Sequence, residues 1–262
     1  MDIMEVIKTR RSVRTFDGRE VSAEDKKNLC AYIDKIQNPY DIPVEFILLD
    51  AKEHGLSSPV ITGEHLYITA KVPKVEHSEE AFGYSFEKMV LYACSLGIGT
   101  TWIAATFKRP MFEKAVNKQD NEQMYCISPL GYPSEKMSFK ETNMRKSLKA
   151  DERKPAEELF FDRDFNNPLN VDDEKIKTAL EAVRLAPSAT NTQPWRIVKV
   201  GNKFHFYVEH KKGYADKNSD VQKIDLGIAL CHFMSIIDGK CKLENPNIAT
   251  PDDVEYIATI VI

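Results

Sequence analysis

The stretch Ala186–Val200, "APSATNTQPWRIVKV", decides how the rest of the chain is read. Its first ten residues are polar and stiffened by Pro187 and Pro194, and Ser188, Thr190, Asn191, Thr192 and Gln193 supply side-chain donors and acceptors. The segment before it is predicted helical, because Ile176, Ala179, Leu180 and Val183 recur on one face and Asp172 or Asp173 can cap the start. The segment after it, "WRIVKV", reads as a strand that turns at Gly201-Asn202 into "KFHFYVE", a hairpin with a two-residue turn. An irregular polar loop between a helix and a strand cannot bury its amides and hydroxyls without partners. It is therefore a candidate for holding something.

Outward from this loop, residues 223–238 predict an apolar helix and "YIATIVI" a β-branched final strand. Upstream lies "LKADERKPAEE", charged, without apolar periodicity and interrupted by a proline, the best candidate for a linker. The part before it has a comparable order. Met1–Thr9 predicts a short helix with Ile3, Val6 and Ile7 on one face. Ser22 opens a second helix carrying Leu29, Ile33 and Ile36. "VEFILLD" and "HLYITAKV" predict strands. Phe86, Met89, Val90 and Ala93 form a helical stripe ended at Gly97, and "YCISPLGYP" is a strand running into a turn.

Aligning the two parts on Phe16 and Phe165 sets "RRSVRTFDGREV" against "LFFDRDFNNPLN". "VEFILLD" then faces "WRIVKVG", and "MVLYACSLGIG" faces "GIALCHFMSIIDG". The repeated order implies an internal duplication of about 130 residues, with halves at 1–150 and 151–262.

Composition bounds the function. The chain has 262 residues, 42% apolar and 29% charged, the profile of a globular protein with a substantial core. A net charge of -4 gives no general drive toward nucleic acid or anionic membrane, so an anion site must be local. The five cysteines are odd in number and widely spaced, without C-x-x-C, which predicts reduced thiols and a cytoplasmic setting. The six histidines make no zinc pattern, so no metal is expected. The N-terminus has early acidic residues and no apolar run, unlike a signal peptide. Met89–Phe107 is uncharged, but its "SLGIGTT" splits it into a helix end, a turn and a strand, which argues against a membrane span.

One place concentrates positive charge. Lys8, Arg10, Arg11 and Arg14 fall within seven residues, with Ser12 adding a hydroxyl. Arginine forks pair bidentately with phosphate oxygens, so this is an anion site on chemical grounds; a solvated basic face or a kinase target are the blander alternatives. "GIGTTW" is not a dinucleotide fingerprint, because Trp102 stands where the third glycine belongs.

"RRSVRTF", "ACSLGIGTTWIAA", "LGYPSEK" and "APSATNTQPWRIVKV" together resemble the nitroreductase family of FMN-dependent oxidoreductases, over most of the chain. The resemblance implies an α+β fold, normally a homodimer with flavin at the subunit interface. One subunit's basic motif grips the FMN phosphate and the other's P-S-x-x-N loop lines the flavin. This chain departs from the family's order. The first half has "YIDKIQNPYDIPVEF" where the loop should be. The second has Leu159, Phe160 and Phe161 where Arg10, Arg11 and Ser12 stand, with only Arg163 matching Arg14. A phosphate against Leu and Phe would lose its charge-assisted bonds. The resemblance thus implies a fused pseudo-dimer: two α/β halves related by pseudo-twofold symmetry, with one FMN per chain and a second site filled in.

By the same resemblance, Arg10, Arg11, Ser12 and Arg14 hold the phosphate, joined by Arg145 and, second, Lys146. Pro187, Ser188, Ala189 and Asn191 contact ribityl and ring, and backbone at Ile103, Ala104 and Ala105 faces the flavin N5 edge. Trp102, Gln193 and Trp195 are framework or contact. No acid–base residue is singled out. The expected activity is hydride transfer from NAD(P)H to a small-molecule acceptor such as a nitroaromatic or quinone. It calls for no nucleic acid or membrane partner, and the protein would act as a monomeric pseudo-dimer or as a further homodimer. The alternatives are a flavin store or sensor without turnover, and a basic module for a phosphorylated metabolite.

Overall fold

A computed structural model describes residues 2–216 and 219–262. Met1, the first residue of the predicted N-terminal helix, lies outside the described residues. The chain divides into two compact units. The first comprises Met1–Gln37, Asp41–Ser78 and Ser85–Lys149, and the second Asn38–Tyr40, Glu79–Tyr84 and Ala150–Ile262.

The first unit is built on a four-stranded antiparallel sheet. Strand β2 (Leu66–Pro73) pairs with β1 (Glu45–Asp50), β3 (Glu122–Gln123) and β4 (Ile127–Leu130). Helix α1 covers Ile3–Thr9, and α2, Ala23–Ile33, is capped by the Ser22 hydroxyl, which accepts the Asp25 N–H. Helix α3 runs Ser78–Ser95, and Gly97 just beyond it takes φ 76°, as a helix C-terminus of this kind requires. The predicted strand after Gly97 is absent: 98–107 makes only isolated bridges, Gly99 with Gly131, Thr100 with Ser12 and Ile103 with Ile127. Two short helices escaped the sequence reading, α4 (Arg109–Ala115) and α5 (Phe139–Ser147). A core of Val13, Phe16, Leu49, Tyr67, Ile103, Phe112 and Ile127 joins the basic segment to the sheet.

The second unit carries a five-stranded sheet, β5 (Phe160–Asp162), β6 (Trp195–Val200), β7 (Lys203–Glu209), β9 (Val254–Val261) and β8 (Lys240–Lys242), in that spatial order. β5 and β6 run parallel; the other pairs are antiparallel. The predicted hairpin is β6–β7. Helix α6, Glu174–Leu185, is capped by Asp173, and Ile176, Ala179, Leu180 and Val183 are all buried. Helix α7, Val221–Met234, is buried on nearly every side, as an apolar helix without a polar face must be. Phe233 packs on Phe204 and Phe206 of β7, with centroids 4.9 and 5.4 Å away.

Within this unit the opening turns of α3 cross α7 at two glycines. A Cβ on Gly83 would lie 2.1 Å from the Ile224 carbonyl, and one on Gly227 would lie 2.1 Å from the Glu80 carbonyl. Each glycine thus meets the carbonyl three residues before the other glycine, the exchange pattern of a two-fold contact.

Candidate functional site

The basic segment in the first unit is extended and laid flush against its neighbours. Ser12 forms a parallel bridge with Thr100, the Val13 N–H donates to the Thr100 carbonyl at 2.8 Å, and the Thr62 N–H donates to the Arg14 carbonyl at 3.0 Å. The segment can come this close because Gly99 has no side chain: a Cβ there would sit 2.9 Å from Val13.

Its side chains part company. Arg10 turns inward, with its side chain 7% exposed and its Nε 3.9 Å from Oε1 of the fully buried Glu87. That Nε has no hydrogen-bond partner. Arg11 Nη1 donates to Glu141 Oε1 at 3.0 Å. The Arg14 N–H donates to the other Glu141 oxygen at 3.2 Å, while its guanidinium hydrogen-bonds nothing among the described residues. Burial holds the Arg14 guanidinium below its ordinary pKa; Glu141 opposes this and Arg145 adds to it. Arg14 and Arg145 are therefore near enough to repel. Arg145 stands in the last turn of α5, half-buried, and Lys146 is exposed. The Ser12 hydroxyl engages no protein group among the described residues.

The backbone of 103–105 divides likewise. The N–H and carbonyl of Ile103 are both used by Ile127, at 3.0 Å each, so Ile103 has no backbone donor left to offer. The N–H groups of Ala104 and Ala105 have no protein partner among the described residues. Arg109 steadies this strip from below, donating to the carbonyls of Ala104 (2.9 Å), Tyr125 (3.1 Å) and Met124. Trp102 donates its indole N–H to Glu87 Oε2 at 3.0 Å and packs on Phe86, so it belongs to the framework.

The polar loop lies in the second unit and holds an unusual backbone. Thr190, Asn191 and Gln193 have φ of 46°, 61° and 50°. Left-handed non-glycine residues in succession need outside support, and the surroundings provide it. Ser188 Oγ accepts the Gln193 N–H at 2.9 Å. The Asn191 amide donates to the Glu152 carbonyl at 3.0 Å, and its oxygen accepts from Arg153 at 3.4 Å. Gln193 Oε1 accepts the Lys154 N–H at 2.8 Å. The predicted linker is thus stitched to the loop, and the side chains of Asn191 and Gln193 serve that seam. Trp195 is fully buried in β6, on the framework side of the alternatives. Pro187 and Ala189 are half-buried at the loop's near end. The Ala189 N–H points at Asp225 of α7, 3.1 Å from each carboxylate oxygen. Asp225 is buried, and burial raises its carboxyl well above the carboxylate range; the Ala189 N–H opposes this and Asp220 adds to it.

Glu87, Arg109, Glu141, Arg153 and Asp225 escaped the sequence reading. Nothing in their neighbouring residues marks them, and only the fold brings them to the two motifs. Among the described residues no group of three or more His, Cys, Asp or Glu side chains could hold a metal ion, and no helix is long and apolar enough to cross a membrane.

Comparison with known proteins gives the chain a family. The family model described as "Putative TM nitroreductase" matches residues 2–237. A Thermotoga maritima MSB8 protein described as "a putative nitroreductase" has 22% identity and a TM-score of 0.66, covering 100% of this chain and 94% of its own. An FMN-dependent nitroreductase of Clostridium difficile R20291 has 19% identity and a TM-score of 0.44, covering 51% of this chain and 88% of its own. No curated protein matches. The α+β architecture agrees with the Thermotoga fold, and with its whole described length but the last 25 residues matched by the family model, the chain belongs to the TM nitroreductase family.

Proposed function

We propose that the protein is an FMN-dependent oxidoreductase that takes hydride from NAD(P)H and passes it to a small oxidised acceptor, a nitroaromatic or a quinone. The observation that carries this is the Arg14 guanidinium. It is half-buried, faces the like charge of Arg145, and has no hydrogen-bonded protein partner among the described residues. A half-buried guanidinium without a hydrogen-bonded protein partner among the described residues, with a second arginine in its field, fits a phosphate monoester, which accepts charge-assisted bonds from both. Within a nitroreductase family, FMN is the phosphate monoester to expect.

In this reading Arg14 and Arg145 hold the phosphate with the Ser12 hydroxyl. Arg11 and Arg10 shape the grip from the sides, where Glu141 and Glu87 already hold them. Pro187, Ser188, Ala189 and Asn191 line the ribityl chain and ring. The Ala104 and Ala105 N–H groups supply the donors for the N5 edge, Ile103 contributing shape only. FMN when bound supplies the hydride chemistry. The protein's part is to orient the ring, exclude water and present fixed donors where negative charge grows. In this reading the halves 1–150 and 151–262 together bind one FMN per chain. Leu159 and Phe160 are buried in the second half where the matching grip would stand, which supports a single site.

An absorbance spectrum of the purified protein, before and after anaerobic NADH, tests this. Flavin bands that bleach with NADH and return with a nitroaromatic or quinone are expected. Colourless protein that FMN cannot reconstitute overturns the proposal, and flavin that never turns over reduces it to a flavin-binding protein.

A further inference from the structure

Glu141 is a buried carboxylate in contact with the basic segment's 11–14 stretch, and it does not close its own helix's capping box. Residues Ser138-Phe139-Lys140-Glu141 have the spacing of a capping box, in which the glutamate normally reaches back to the serine N–H. Half of that box is made: Ser138 Oγ accepts the Glu141 N–H at 3.1 Å. The other half is diverted, because the Ser138 N–H donates instead to Thr15 Oγ1, at 3.1 Å. The Glu141 carboxylate, 1% exposed, reaches Arg11 with one oxygen and the Arg14 N–H with the other. It therefore pins a side chain and a backbone position of one segment at once. Meanwhile α5 carries Arg145 one turn further along.

We propose that Glu141 is a positioning residue of the phosphate grip: by binding Arg11 and the Arg14 backbone it fixes the spacing between the basic segment and α5, so that Arg14 and Arg145 converge on one phosphate monoester. The proposal rests on the flavin reading for its ligand. Its geometry, however, asks only for a phosphate monoester or free phosphate. A buried carboxylate among three arginines would repel an incoming anion if it faced it. Here both of its oxygens are taken by Arg11 and the Arg14 N–H, so its charge orders the cluster without occupying the place that Arg14 leaves free.

The test compares wild type with Glu141→Gln and Glu141→Asp, using flavin-free protein titrated with FMN, riboflavin and inorganic phosphate. Glu141→Gln should weaken FMN about tenfold, the scale of one charge-assisted hydrogen bond, and riboflavin by less than about twofold. Glu141→Asp keeps the charge and withdraws it by one methylene, so it should show a smaller loss, again confined to FMN. Equal losses for FMN and riboflavin would overturn the proposal, because a carboxylate serving only the fold does not discriminate the phosphate. So would tighter FMN binding by Glu141→Gln, which would make Glu141 a competitor. If Glu141→Gln does not fold, Glu141→Asp alone decides by the same FMN-to-riboflavin ratio. Wild type that binds neither flavin sinks the flavin reading, and the phosphate arm then decides this one. Inorganic phosphate must still raise the melting temperature of wild type, and Glu141→Asp must reduce that rise; no rise in wild type overturns it.

Discussion

Residues 10–14 and 159–163 fall at matching places in the order of the two sequence halves, and they solve different physical problems. In the first segment Arg11, Ser12 and Arg14 stay partly exposed, and the Arg14 guanidinium keeps its donors uncommitted beside Arg145. In the second, Leu159 and Phe160 are buried, and residues 160–162 form a strand paired in parallel with β6. The sole match to Arg14 there, Arg163, is a surface residue whose Nε lies 3.6 Å from Asp162. A segment that holds an anion, as proposed for 10–14, keeps unsatisfied donors. A segment of buried apolar side chains adds area to a core. Stability and binding should therefore separate cleanly when the two segments are altered.

The largest effect is expected in the second segment. Phe160→Ala removes a buried ring and should cost about 3–5 kcal/mol of stability, while the protein that remains folded binds FMN as before. Chemical denaturation with a parallel FMN titration checks this, and a selective loss of FMN affinity would break the contrast. Next comes Arg14→Ala, with about 1.5–3 kcal/mol lost from FMN binding and far less from riboflavin. Its flavin-free melting temperature should hold or rise, since the desolvation of its half-buried guanidinium, which outweighs the attraction of Glu141, is relieved; a sharp fall would assign Arg14 to the fold.

Asn191→Leu should give a smaller loss, about 1–2 kcal/mol of flavin-free stability. It removes the amide that Glu152 and Arg153 use and places a branched side chain at φ 61°. An unchanged melt with weakened flavin binding would leave Asn191 a flavin contact alone. The smallest effect is a pH trend. The Asp225 carboxyl is raised in the folded protein, so the stability it contributes is complete below its unfolded value near 4 and is lost as pH rises through the folded value. Asp225→Asn, neutral throughout, should gain on wild type in melting experiments as pH increases from about 4. A difference that stays flat with pH would show that Asp225 carries its charge in the fold.

Much of the architecture was readable because it rests on local signals. The Asp173 cap, the stripe Ile176–Ala179–Leu180–Val183, the Gly201-Asn202 turn and the Ser22 box are all written in neighbouring residues. The missed elements lack such signals. α4 and α5 are short, and α5 leaves Phe139 83% exposed, so apolar periodicity gives no face. The segment after Gly99 is β-branched and apolar, which suggests a strand, yet it receives only single bridges. The basic segment and the polar loop announce their chemistry through residue type. What holds them does not: Glu141 lies in a short helix without an apolar face, and Asp225 is one acidic residue in a mostly apolar helix. Long-range partners of this kind are set by topology, to which residue spacing is blind.

The crossing of Gly83 and Gly227 bears on how such a chain can change. Where two identical subunits meet at a symmetric contact, every substitution arrives in duplicate, and its damage doubles. When both helices are written in one chain, each can be altered alone, and most of their surfaces are free to drift apart. The crossing itself is exempt from that freedom. A methyl group on either glycine would strike the other helix's backbone, and no change of the opposite side chain can make room, because there is none to remove. This point must stay glycine on both helices, whatever changes along the rest of them.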